Sequence, residues 1–193
     1  MAADPPIRFR ALVMALVMTG ALQACVGPEP ERGGGSPRSA LVLSRVSLDR
    51  SAALAEVNAY RAANGQGALR LDPALDTLAQ RQAEAMAAAG VVSHDVAGSL
   101  TSRLATTRFA NVAAAENVAA GTSSFPETLA GWRASAGHNA NLLMPDAALT
   151  GFGLAKNPAT RYGASWAMAV ASEPRAAAAT PELMFGGCWP LCR

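Results

Sequence analysis

The chain predicts an α+β domain in which helices cover one sheet, and three observations carry that prediction. Apolar residues recur at helical spacing through the first two thirds of the folded part, then give way to short, Gly-punctuated apolar runs separated by a turn. Helices first and paired strands last is the order of an α+β fold. Hydrophobic residues make up 51% of the 193 residues and charged residues 16%, which is enough apolar material for a packed core. The length suits one ordinary domain with short appendages, and no internal repeat is present.

Taken in order, Asp49 or Ser51 can cap a helix whose Leu54, Val57 and Tyr60 fall on one stripe, closing at Asn64-Gly65. Leu69 and Leu71 flank Arg70 in a brief extended stretch. Asp72-Pro73 pairs a cap with a first-turn proline, and the helix it opens carries Leu75, Leu78, Ala79, Gln82 and Met86 inward before ending at Gly90. A loop with His94 follows, and a short helix around Thr101 to Thr107 leads into Ala115-Glu116-Asn117-Val118. Ser124 and Pro126 open another helix with Leu129 and Trp132 inward, and Gly137-His138 sits just beyond it. Thr150 to Ala155, the Asn157-Pro158 turn and Tyr162 to Ala171 then read as an antiparallel hairpin.

Ahead of the domain, Arg8 and Arg10 precede the uncharged run Ala11 to Ala21. That run is short of the roughly 20 apolar residues that span a bilayer, and matches the core of a secretory signal. It ends at Leu22-Gln23-Ala24-Cys25, a small residue before a cysteine, so Cys25 is the expected site of lipidation. Val26, not aspartate, follows it, which favours an outer-membrane anchor if the source is Gram-negative; release as a secreted protein is the alternative. Val26 to Ser39 has the Pro- and Gly-rich composition of a tether. With Cys25 lipidated, the remaining cysteines, Cys188 and Cys192, can pair across a short loop in an oxidising compartment. The expected organisation is a signal peptide over 1–24, a linker over 25–47, the domain over 48–172 and a tail over 173–193.

The formal net charge is +2, Lys156 is the sole lysine and no basic run occurs, so the chain lacks the concentrated basic face of a nucleic-acid binder.

Several phrases line up in order: Val57-Asn58-Ala59-Tyr60-Arg61, Leu69 to Leu75, Ser93-His94, Glu116-Asn117-Val118, Trp132 to Leu143, Gly151-Phe152-Gly153 and the strand around Trp166. From Leu54 to Ala171 this set resembles a bacterial CAP domain, of the cysteine-rich secretory, antigen 5 and pathogenesis-related family. The resemblance implies an α-β-α sandwich with a central antiparallel sheet and a cleft above it. It also implies that two histidines and an acid, here His94, His138 and Glu116, converge in that cleft. The family's second acid falls three residues after the tryptophan; that position here is Ser135, as in many bacterial relatives. Glu127, earlier on the same helix, has the wrong spacing to replace it.

These residue types bound the chemistry. Two imidazoles beside a carboxylate can hold zinc or another divalent cation, with His94 and His138 as ligands and Glu116 orienting one of them. Glu116 and Asn117 have an architectural reading as well, holding a loop through backbone amides, and Asn58 and Arg61 read as a polar clamp between elements. A hydrolase would use a histidine as base and Ser135 or a metal-bound water as nucleophile. Gly163-Ala164-Ser165-Trp166-Ala167 lacks the second glycine of a nucleophile elbow. The sequence therefore leans away from catalysis and towards a binding module for a small molecule, a lipid, a cell-wall fragment or a peptide. A non-catalytic envelope interaction protein is the third reading.

Overall fold

The computed structural model describes residues 42–174. The expected signal peptide, the lipidation site Cys25, the linker up to residue 41 and the tail with Cys188 and Cys192 lie outside the described residues.

Residues 42–45 are helical and lead to α1 (Arg50–Ala63). The Asp49 carboxylate starts α1 by accepting from the amides of Ser51 and Ala52, and the chain leaves it through Gly65 at φ 72°. After β1 (Arg70–Leu71), Asp72 caps α2 (Pro73–Ala89) through the amides of Ala74 and Leu75, and α2 closes at Gly90 in the left-handed region. There follow α3 (Leu100–Leu104), β2 (Ala114–Ala120), α4 (Phe125–Ala134), α5 (Ala136–Leu142), β3 (Ala147–Asn157) and β4 (Gly163–Ser172). The segment around Glu116 and Asn117, open to a loop-fixing reading in the sequence, is thus strand β2. Four of its seven residues are alanines, which carry little strand preference of their own, so only pairing with β4 reveals it.

The sheet runs β1-β3-β4-β2. Its three long strands are antiparallel, with β3 and β4 forming the predicted hairpin. The two-residue β1 adds to β3 in parallel, a departure from the wholly antiparallel sheet. Parallel neighbours need a crossover, and α2 lies on the chain between them.

Side chains alternate across the sheet, and the two faces differ in size. One face presents Phe152, Trp166, Met168 and Val170 to Val57 of α1, to Phe125, Leu129 and Trp132 of α4 and to Leu142 of α5. Phe125 meets the rings of Trp132 and Phe152 edge-on, at 6.1 and 5.4 Å between centroids. The other face is nearly bare: Gly151, Gly153 and Ala155 on β3, and Ala167, Ala169 and Ala171 on β4. There α2 lies backbone against backbone. A Cβ at Gly151 would stand 2.1 Å from the backbone of Leu75 and Asp76, and one at Gly153 2.4 Å from that of Ala79. Helices on both faces make the three-layer α-β-α sandwich.

Close seating lets α2 finish the edge of β3 where β1 stops. Asp76 accepts from the Phe152 amide, and Gln80 both accepts from the Leu154 amide and donates to the Leu154 carbonyl. Arg50 donates to the Phe152 carbonyl. The free edge is thereby satisfied by side chains.

Arg61 is the clamp that the sequence suggested. Wholly buried, its guanidinium donates to the carbonyls of Gly67, Leu142, Met144 and Ala147, tying α1 to the end of α5 and the start of β3. Asn58 exchanges two hydrogen bonds with the backbone of Leu69.

Gly151→Ala is expected to cost at least about 3 kcal/mol, the upper end for overpacking, because the new methyl meets fixed backbone. Gly67→Ala, whose Cβ would meet nothing within 4 Å, should stay within about 0.5 kcal/mol of the parent. Urea unfolding midpoints of the two variants check both values.

Candidate functional site

Alternation along β2 splits its polar residues between the layers. Glu116 and Val118 face the α2 side, where Val118 packs with Ala79, Ala83 and Met86, while Asn117 faces α5. The Glu116 side chain is 1% exposed and yet carries a full set of partners. Arg103 of α3 grips it as a fork, Nη1 donating to Oε1 at 2.8 Å and Nη2 to Oε2 at 3.1 Å. His94 approaches Oε2 through Nδ1, also at 3.1 Å.

Arg103 does more than neutralise the carboxylate. Its Nε donates to the Gly98 carbonyl and its Nη2 to the His94 carbonyl, so one guanidinium ties both ends of the 94–98 loop to the buried acid. Gly98 takes φ 87° at the loop's turn, a backbone state that favours glycine. From the other side Gln82 of α2, itself fully buried, donates to the Ser93 carbonyl at 2.6 Å. The His94 imidazole emerges from this frame with its side chain 51% exposed. A carboxylate can only accept, so the proton of a neutral His94 sits on Nδ1 and the lone pair on Nε2.

His138 comes from the opposite layer, in the first turn of α5. Asn117 donates to its carbonyl, and Asn141 donates both to the Glu116 carbonyl and to Asn117 Oδ1, which sews α5 along the edge of β2. Tyr60 of α1 steadies the same helix by donating to Asn139 at 2.7 Å. Burial, and then the charge of the neighbouring His94, hold His138 below its ordinary 6.5. The structure therefore brings His94 and Glu116 into contact at one sheet edge, with His138 entering from the opposite helical layer close enough to feel the charge of His94.

Ser135, the candidate nucleophile, lies at a break between two helices. The interruption falls on Ser135 itself, in extended backbone between α4 and α5, and Gly137 lies inside α5. Its side chain makes no capping bond, so no shared helix face aims it at His138. Glu127 accepts from the amide and hydroxyl of Ser123, which lowers its pKa; it serves the start of α4. Ser165 is buried within β4. Two surface hollows lie elsewhere: about 440 Å³ bounded by Arg50, Asp76, Gln80 and Arg81, and about 480 Å³ bounded by Arg108, Asn111 and Glu173. Among the described residues no group of three or more His, Cys, Asp or Glu side chains is arranged to hold a metal ion.

Arg103 is the site residue that sequence reasoning missed. It is one of fifteen arginines (sixteen Lys plus Arg, less the single lysine), with no motif around it. Only the fold sets it against Glu116.

Truncating Arg103 to Ala leaves a buried carboxylate without its counter-ion and should cost about 3–5 kcal/mol. The double variant with Glu116→Gln is expected to recover part of that loss, which a double-mutant cycle of urea midpoints measures. His138 gives a second expectation. Its folded pKa lies below the unfolded one, so between the two the unfolded chain binds more protons and stability falls as pH falls through and below about 6.5. Unfolding midpoints at pH 7.5 and pH 5 should show a smaller acid loss in His138→Asn than in the parent.

The comparisons with known proteins agree with this architecture. The profile described as "CAP: Cysteine-rich secretory protein family" matches residues 54–171. An extracellular protein of Bacillus anthracis containing an SCP domain superposes with a TM-score of 0.55 at 25% identity, over 64% of this chain and 40% of that one. An outer surface protein of Borrelia burgdorferi gives 0.57 at 17% identity, over 65% of this chain and 96% of that one. A cysteine-rich secretory protein of Staphylococcus aureus gives 0.52 at 18% identity, over 64% and 38%. This chain thus spans well under half of the Bacillus and Staphylococcus proteins. No curated protein sequence matches it significantly. With more than half of its length matched by the profile, and with the three-layer fold in place, the chain belongs to the cysteine-rich secretory protein (CAP) family.

Proposed function

We propose that this protein is an exported envelope protein, tethered through a lipid on Cys25, whose CAP domain binds a small ligand at the His94–Glu116–His138 edge. One observation carries the binding reading: a half-exposed imidazole is held in a single orientation by a buried ion pair. Buried ion pairs contribute little net stability beside an apolar replacement, so packing alone is a weak reason for one. Fixing a solvent-facing histidine is a functional reason. The ligand classes considered are a lipid, a cell-wall fragment and a peptide. The extracellular and outer-surface descriptions of the Bacillus and Borrelia proteins support placement outside the cytoplasm.

A hydrolase is the second reading, and the Nε2 lone pair of His94 is what favours it, since a carboxylate-oriented imidazole is the form a general base takes. The nucleophile is the weak point, because Ser135 sits at a helix break. An interaction protein with an idle edge is the third.

The test is thermal unfolding of the full chain with phosphatidylglycerol vesicles, muropeptides or a mixed peptide pool, for the parent, His94→Asn and His138→Asn. A rise in Tm of a few degrees with one class, lost in both variants, is the expected result. Equal protection of parent and variants would move binding to another surface, and no protection by any class would leave the interaction reading. Turnover of muropeptides or peptides that disappears in His94→Asn would establish the hydrolase instead.

A further inference from the structure

We infer that the β3–β4 hairpin end of the domain is a contact surface for an anionic phospholipid bilayer. Val42, Val91 and Val92 enter the interface, and Arg45, Lys156 and Arg161 meet the headgroups. The surface rests on geometry and charge; its nearness to a bilayer rests on the tether proposed above.

Three stretches remote in sequence converge on this hairpin. The first described residues arrive on one side. Lys156 Nζ donates to the carbonyls of Leu43 and Val46, each at 3.0 Å, and a Cβ at Gly163 would stand 2.9 Å from the Leu43 side chain. The C-terminal end of α2 arrives from the other layer. There Asn157 donates to the Ala87 carbonyl, and a Cβ at Gly90 would stand 3.3 Å from Thr160. The turn after β2 completes the group, with the Gly121 amide donating to the Ala164 carbonyl.

Among the described residues, the large apolar side chains left exposed are Val42, Val91 and Val92, and all three lie on these stretches. The charge is one-sided as well. Residues 42–48, 85–94, 119–126 and 155–163 contain no aspartate or glutamate. They contain Arg45, Lys156 and Arg161, all exposed, and none of the three is paired with a carboxylate among the described residues. Four acids border the stretches: Asp49 and Glu127 accept from backbone amides, Glu84 accepts from Gln80, and Asp95 is the fourth. Apolar side chains among unopposed positive charges complement an anionic lipid surface. Val42 is also the first described residue, so residues 26–41 join the domain at this end. That stretch reaches at most about 60 Å. With Cys25 in the bilayer, even a weak contact becomes intramolecular.

The experiment is amide-resolved paramagnetic relaxation of the ¹⁵N-labelled full chain in phosphatidylglycerol bilayer discs, at low salt, with a nitroxide on a fraction of the lipid headgroups. Strong enhancement is expected at residues 88–92 and 158–162, and none at residues 109–113, which lie at the opposite end of the sheet beside Ser172. The enhancement scales with the fraction of time in contact. It should fall about fivefold in Arg161→Gln, the share of one surface charge, and severalfold in Val91→Ser with Val92→Ser. These positions are exposed, so the fold is expected to hold; should a variant fail to fold, the contrast between the two ends of the parent decides. Equal enhancement at both ends, or the parent's enhancement kept in either folded variant, would overturn the surface. Undiminished enhancement in phosphatidylcholine discs would overturn the role of charge. Enhancement confined to residues 26–41 would keep the anchor and overturn the surface, and none anywhere would overturn both.

Discussion

The backbone contact between α2 and the bare face of the sheet is the constraint on which the rest of the structure depends. Gly151 and Gly153 remove the side chains that would hold the helix away, and Ala155, Ala167, Ala169 and Ala171 continue the same shallow surface. Helices packed through ordinary side chains stand off a sheet by about 10 Å, as stacked sheets do. Here the helix comes close enough for Asp76 and Gln80 to substitute for a missing strand along β3. The opposite face compensates in bulk, with Trp132, Trp166, Phe125 and Phe152 filling the larger gap under α1, α4 and α5.

That asymmetry also sets the position of the site. Because α2 lies low on the sheet, Gln82 near its middle reaches the Ser93 carbonyl and draws the following loop towards β2. The loop's histidine then meets a carboxylate carried by an edge strand. An edge strand suits this task, since its two faces meet different helical layers: His94 reaches Glu116 on the α2 side, and Asn117 holds the His138 carbonyl on the α5 side. The hydrogen bonds of Trp132 to the Val118 carbonyl and of Asn141 to the Glu116 carbonyl satisfy backbone groups along that edge.

The buried Glu116–Arg103 pair links fold and chemistry. Removing either partner alone exposes the other to a desolvated environment, so the pair is held as a unit. It is also the link among three successive parts of the chain: the loop from 94 to 98, the short helix α3, and strand β2. Orientation of His94 is therefore tied to the folding of all three.

Some of this was determined by sequence alone. Helix boundaries at Asp49, Asp72, Gly90 and Ser124 follow from local capping chemistry, and the β3–β4 hairpin follows from local periodicity and a turn. The ordered phrases from Val57-Asn58 to Trp166 carried the family, and with it His94, Glu116 and His138. These signals are legible because each is set by residues a few positions apart. What the tertiary structure decided is non-local. Strand β2 is written largely in alanine and is defined by its pairing with β4. The parallel addition of β1 depends on where a crossover returns. The helix break at Ser135 has no glycine or proline at the break itself to announce it. Arg103 looks like any other arginine until folding buries a carboxylate beside it. A charge acquires a role here only when desolvation makes its partner indispensable, and desolvation is a property of the packed domain.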